Sequence, residues 1–83
     1  MNESQILKAL QPIFEEVFAQ SPIELQADTA AKDIDNWDSL NHAVLIDRIE
    51  QYFQVKFDLM DMLNMQHVGA ICERILAKKS NDS

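Results

Sequence analysis

Apolar positions recur with a helical period in three long stretches of this chain. In SQILKALQPIFEEVFAQ, residues 4–20, Ile6, Leu7, Leu10, Ile13, Phe14, Val17 and Phe18 are spaced three and four apart. That spacing predicts an amphipathic helix with one buried stripe. Ser4 is the expected N-cap. Pro12 interrupts the pattern, because an interior proline removes a hydrogen bond and its ring crowds the preceding turn. The expectation is a kinked helix, or two short helices meeting near Pro12.

The pattern is sharpest in SLNHAVLIDRIEQYF, residues 39–53. At 100° per residue, His42, Leu45, Ile46, Ile49 and Phe53 share one face. Leu40, Val44, Asp47, Arg48 and Gln51 share the other. Asp38 or Ser39 caps the start. A third stripe, Val68, Ile71, Cys72, Ile75 and Leu76, lies in HVGAICERILAKK, residues 67–79, where Lys78 and Lys79 suit the negative end of the helix dipole. Between these helices, QVKFDLMDMLNMQ offers a short helix around Leu59–Leu63.

Residues 21–37, SPIELQADTAAKDIDNW, show no sustained period. Pro22 and the scattered Asp and Thr read as a long loop, of a length that is usually functional or disordered. Ile23, Leu25, Ile34 and Trp37 are expected to pin it to the helices. The predicted fold is therefore all-α: a small four-helix bundle of three longer helices and one short one, with a long loop between the first and second. A single domain over residues 1–79 and a flexible tail over 80–83 are expected.

Composition narrows the function. A chain of 83 residues with 47% hydrophobic and 25% charged content is globular. Its core is too thin to spare room for a buried catalytic cleft, so a carrier or adaptor is expected and not an enzyme. The net charge is −7, of which residues 1–42 hold −6. No basic patch exists for nucleic acid, and an anionic membrane surface would repel the chain. Partners with basic faces are favoured. Cys72 is the single cysteine, so neither a disulfide framework nor a zinc spacing arises. MNESQ lacks the basic and apolar regions of a signal peptide, and no transmembrane run follows. A cytoplasmic monomer is the expectation.

Asp33, Asp35 and Asp38 suggest a calcium loop, but the fifth, sixth and twelfth positions counted from Asp33 are Trp37, Asp38 and Val44. A calcium loop needs an oxygen donor, Gly and Glu there. Ser39 and His42 are one helical turn apart, yet no orienting acid, oxyanion hole or nucleophile elbow accompanies them. His42 reads as a packed core histidine, His67 as a cap or surface residue, and Cys72 as an inert buried thiol. Met60, Met62 and Met65 read as core lining, or alternatively as a pliable wall for a guest acyl chain.

Ser39 asks for more than a cap. Leu40 and Val44 face solvent beside it, and a helix N-terminus welcomes a phosphate. WDSL opening the second helix of a small acidic helical domain resembles the acyl carrier protein family. The long preceding loop, the core positions Leu45, Ile49 and Phe53, the FQVKF exit, the short third helix and the VGAICERI helix extend the resemblance over nearly the whole chain. It implies a 4′-phosphopantetheine arm on Ser39, installed from coenzyme A by a phosphopantetheinyl transferase. Acyl or aminoacyl groups would ride on that arm as thioesters between acyl-loading and acyl-transferring enzymes. It further implies that Asp38, Leu40, Val44, Asp47 and Arg48 meet those partners. Fatty-acid carriers present a more acidic second helix; here Val44 is apolar and Asn41 neutral. A stand-alone carrier for polyketide, peptide or polysaccharide-modifying biosynthesis is therefore expected. The alternative is a noncovalent helical adaptor using Leu40 and Val44 as its contact patch.

Overall fold

The computed structural model describes residues 2–20 and 23–81, with the backbone alone for 80 and 81. Pro22 lies outside the described residues. The elements are α1 (Glu3–Phe18), a single 3-10 turn (Ala31–Asp33), α2 (Ser39–Phe53), α3 (Leu59–Asn64) and α4 (Val68–Asn81). Small and all-helical, they form the expected bundle of three longer helices and one short one.

Asn2, not Ser4, caps α1. The Asn2 side chain accepts the Gln5 N–H at 2.9 Å, and the Gln5 side chain accepts the Asn2 N–H at 3.0 Å. This reciprocal box satisfies two backbone donors at once, which a lone Ser4 hydroxyl inside the first turn could not do. The helix then runs unbroken through Pro12. Pro12 and Lys8, whose carbonyl loses its partner, are both exposed. Water can hydrate that carbonyl, so the expected division into two helices does not occur. Ile6, Leu10, Phe14 and Phe18 form the buried stripe.

The loop is built rather than loose. Ile23, Ile34 and Trp37 are buried, and Leu25 is half-buried against the core. The Glu15 carboxylate accepts the Ile23 N–H at 3.0 Å, tying the loop's start to α1. Its middle is stitched to the head of α4: Thr29 and Ala27 carbonyls accept the Val68 and Gly69 N–H groups, each at 2.8 Å. Ala30 and His67 form an isolated antiparallel bridge. Gly69 is required at this contact, since a Cβ there would lie 2.8 Å from the Ala27 carbonyl oxygen.

His67 accepts the Ala70 N–H on Nδ1 at 3.2 Å, which makes it a cap of α4. That helix continues two residues past its expected end at 79. Ile71, Cys72 and Ile75 are buried on its inner face, and burial pushes the Cys72 thiol up to about 11. Among the methionines of the connection, Met65 is buried, Met62 half-buried and Met60 exposed. Only the first two line the core.

Candidate functional site

The approach to α2 sets the site. Asn36 adopts a left-handed conformation (φ 72°), which asparagine tolerates better than most residues. Its carbonyl accepts the Asn41 side-chain amide at 2.7 Å and the Asp38 N–H at 2.9 Å. Asp38 is thereby placed in extended backbone at the N-cap, and its carboxylate accepts the Asn41 N–H at 2.9 Å. Ser39 is the first residue of the helix proper and is exposed. The first intrahelical bond runs from the His42 N–H to the Asp38 carbonyl. The Ser39 and Leu40 N–H groups precede it and point along the positive end of the helix dipole.

Beneath this turn lies a buried polar pair. The Trp37 indole N–H donates to His42 Nδ1 at 2.8 Å, and His42 Nε2 lies 2.9 Å from the Met62 carbonyl oxygen. Since Nδ1 accepts, Nε2 carries the proton and donates to that carbonyl. His42, only 8% exposed, thus joins the loop, α2 and α3. Trp37 also packs edge-on to Phe14, with centroids 5.3 Å apart. The sequence placed His42 on the core face, and its two partners were not visible there. They come from positions five residues before and twenty after it.

A hollow of about 330 Å³ opens between α2 and α3, with Ser39, Trp37, His42, Leu59, Met62 and Leu63 among its walls. Leu40 is 74% exposed and Val44 39% exposed on the outer side of α2. Asp47 and Arg48, further along, are exposed but engaged: Asp47 accepts the Gln51 amide at 2.7 Å, and Arg48 pairs with Glu16 of α1. Ser39, Asp38 and Leu40 therefore cluster at the helix start, with Val44 one turn on. Asp47 and Arg48 belong to the next stretch of the same helix. The loop acids have local duties as well, for Asp33 accepts the Ala30 N–H at 3.0 Å. Among the described residues no three His, Cys, Asp or Glu side chains gather as a metal site.

The phosphopantetheine attachment site family model matches residues 8–75. The chain belongs to the acyl carrier protein family, as a phosphopantetheine-attachment domain. Its prosthetic group is a covalently attached phosphopantetheine. A solved structure of a holo acyl carrier protein from Geobacter metallireducens is similar, at 38% identity and a TM-score of 0.84, covering 92% of this chain and 87% of that one. No curated protein sequence matches. Members of the acyl carrier family carry intermediates rather than catalyse, and they work with phosphopantetheinyl transferases and biosynthetic enzymes. Among the described residues no helix of this carrier is long and apolar enough to cross a membrane.

The first turn of α2 fits such a group. It offers an exposed hydroxyl, adjacent free N–H donors for a phosphodiester, and a hollow alongside. Three apolar residues of α3 face solvent, Leu59 at 69%, Met60 at 64% and Leu63 at 57%, which for Met60 departs from the expected core lining. An apolar run beside a core methionine gave no sign that it would face outward.

Proposed function

We propose that Ser39 is the residue that bears the 4′-phosphopantetheine arm, and that the protein delivers acyl or aminoacyl groups to partner enzymes. When attached, the arm supplies a terminal thiol on which such groups ride as thioesters at high effective concentration. The observation that carries this reading is the freedom of Ser39. Asp38 does the capping, so the serine hydroxyl at the exposed helix start is left for chemistry. The adaptor alternative needs Ser39 as a cap and loses its account of that residue.

The chain's own residues divide the work. The Ser39 hydroxyl is the acceptor. The Ser39 and Leu40 N–H groups and the dipole of α2 steady the attached phosphate. Asp38 holds the turn and offers a carboxylate to a basic partner. Leu40 and Val44 give that partner an apolar anchor, with Asp47 and Arg48 at the edge. Met62 and Leu63 line a hollow with room for part of an acyl group. The second helix carries only Asp47 and Glu50 against Arg48 between residues 39 and 53. That modest charge favours polyketide, peptide or polysaccharide-modifying biosynthesis over fatty-acid synthesis. Coenzyme A as donor accords with a cytoplasmic location.

The test is intact mass after incubation with coenzyme A, magnesium and a broad-specificity phosphopantetheinyl transferase. Wild type gains one phosphopantetheine; Ser39→Ala gains none and keeps its fold, losing at most about 0.5 kcal/mol because the cap remains. An unmodified wild type beside a labelled control carrier defeats the proposal.

A further inference from the structure

The third helix turns most of its apolar residues outward and keeps only Met62 against the core. Its one buried residue is an aspartate, Asp61, while Leu59, Met60 and Leu63 face solvent. An amphipathic helix normally does the reverse. Six residues are also too few to hold a helix by propensity alone.

Beside the packing of Met62, polar contacts hold it. At the N-terminus, the Asp58 carboxylate accepts the Asp61 N–H at 2.8 Å, and the Asp61 carboxylate accepts the Asp58 N–H at 3.2 Å. The same Asp61 carboxylate reaches across to α4, with Oδ1 lying 3.3 Å from Arg74 and Oδ2 lying 3.5 Å from Lys78. Burial works against the Asp61 charge, but the Asp58 N–H and the Lys78 and Arg74 cations outweigh it and hold the carboxyl below the usual carboxylate range. At the far end, the Met62 carbonyl accepts from His42. These contacts are directional. They fix not only where α3 lies but which side it turns outward.

That outward side adjoins the proposed arm-bearing serine. Leu59 and Leu63 share the walls of one hollow with Ser39. An enzyme acting on the Ser39 hydroxyl must therefore cover them. Exposed acids stand at both helix starts, Asp38 and Asp58, so the surface fits an apolar lip flanked by cationic side chains. We infer that Asp61 is a positioning residue: its clamp to Arg74 and Lys78 sets the rotation of α3 and so presents Leu59, Met60 and Leu63 to the transferase that modifies Ser39. This rests on Ser39 being the attachment point.

An apolar replacement tests it, because a buried ion pair can often be exchanged for a hydrophobic side chain without loss of stability while directional specificity suffers. Asp61→Leu would make residues 59–63 apolar throughout, with no side to prefer. Asp61→Asn keeps a side-chain acceptor for the Asp58 N–H but removes the charge. For each variant, amide hydrogen exchange is followed across all four helices, with thermal melting and transferase kinetics alongside. In wild type, exchange in α3 should quicken as salt rises from about 0.05 to 1 M, since Arg74 and Lys78 are partly exposed. In Asp61→Leu, α3 amides alone should exchange roughly tenfold faster or more at a preserved melting temperature. In Asp61→Asn the same local loss should appear, now insensitive to salt. Both variants should raise the transferase KM by about threefold to tenfold with kcat little changed.

Unchanged α3 protection in both variants overturns the clamp. Faster exchange spread evenly over the four helices means a merely structural role and overturns positioning. So does local loosening with an unaltered KM. If wild type itself is not modified, the attachment reading at Ser39 has failed. The positioning role then falls with it, while the exchange data still decide whether Asp61 clamps α3.

Discussion

Ile49→Ala, set beside Leu40→Ala, separates the two faces of α2. Ile49 has no exposed surface, and removing its outer carbons leaves a cavity among core neighbours. Such truncations cost about 2–5 kcal/mol. A domain of this length holds roughly 4–12 kcal/mol in all, so the loss is a large share of it. At about 4–8 °C per kcal/mol for small domains, the melting temperature should fall by something on the order of 10–30 °C. Leu40 keeps only about a quarter of its surface from water. Complete burial of a leucine contributes about 1.5–3 kcal/mol, so Leu40→Ala should cost roughly 0.5 kcal/mol. Val44 is more sheltered, and Val44→Glu should cost about 0.5–1 kcal/mol, part of it recovered by the glutamate stem. If Leu40 and Val44 anchor partner enzymes, both changes should instead lower kcat/KM for phosphopantetheine transfer by about 5- to 100-fold. Val44→Glu should in turn improve use by enzymes with strongly basic faces. The assay pairs melting curves with transfer kinetics, each rate expressed per folded molecule. Should the Leu40 and Val44 variants unfold the protein while the rate per folded molecule stays level, the faces are reversed and the contact surface lies elsewhere.

Two further outcomes are expected. Pro12→Ala restores the missing hydrogen bond to the Lys8 carbonyl on an exposed face, and should stabilise by up to about 3 kcal/mol; a lowered melting temperature would mean that the proline shapes α1 for the Phe14 and Phe18 contacts. Cys72 is protonated more firmly in the fold, at about 11 against an ordinary value of 9.0. Between those values the unfolded chain has released a proton that the fold retains, so this thiol's contribution is complete below the ordinary value and fades as pH rises towards 11. Thiol reagents near neutral pH should therefore label Cys72 only after unfolding, and rapid native labelling would refute its burial.

The boundaries of α2 were legible because local and tertiary signals coincide there: an Asp-Ser start, a buried stripe every three or four residues, and a polar exit at Gln54. The exposure of Leu40 and Val44 followed from the same geometry. The start of α1 was misread because Ser4 is a good cap in isolation. The Asn2–Gln5 pair outcompetes it by satisfying two donors. At Pro12 the expected alternative of two separate helices did not occur, because the broken bond faces water. The bridge between Ala30 and His67 is a pairing across 37 positions and leaves no local trace. The orientation of α3 was the largest omission. Five successive residues, four of them apolar, gave no preferred face; it is Asp61, through Arg74 and Lys78, that chooses one.

Trp37 gives the protein an optical readout of its own site. It is the chain's one tryptophan, so excitation at the red edge of the protein band selects a single indole. That indole is in contact with the aromatic core through Phe14 and Phe18, and forms part of the hollow beside Ser39. Unfolding would move it into water and shift its emission to longer wavelength. A guest entering the hollow would make its surroundings drier and shift emission the other way. Loss of the fold and occupation of the hollow would thus carry opposite spectral signs in an unlabelled sample.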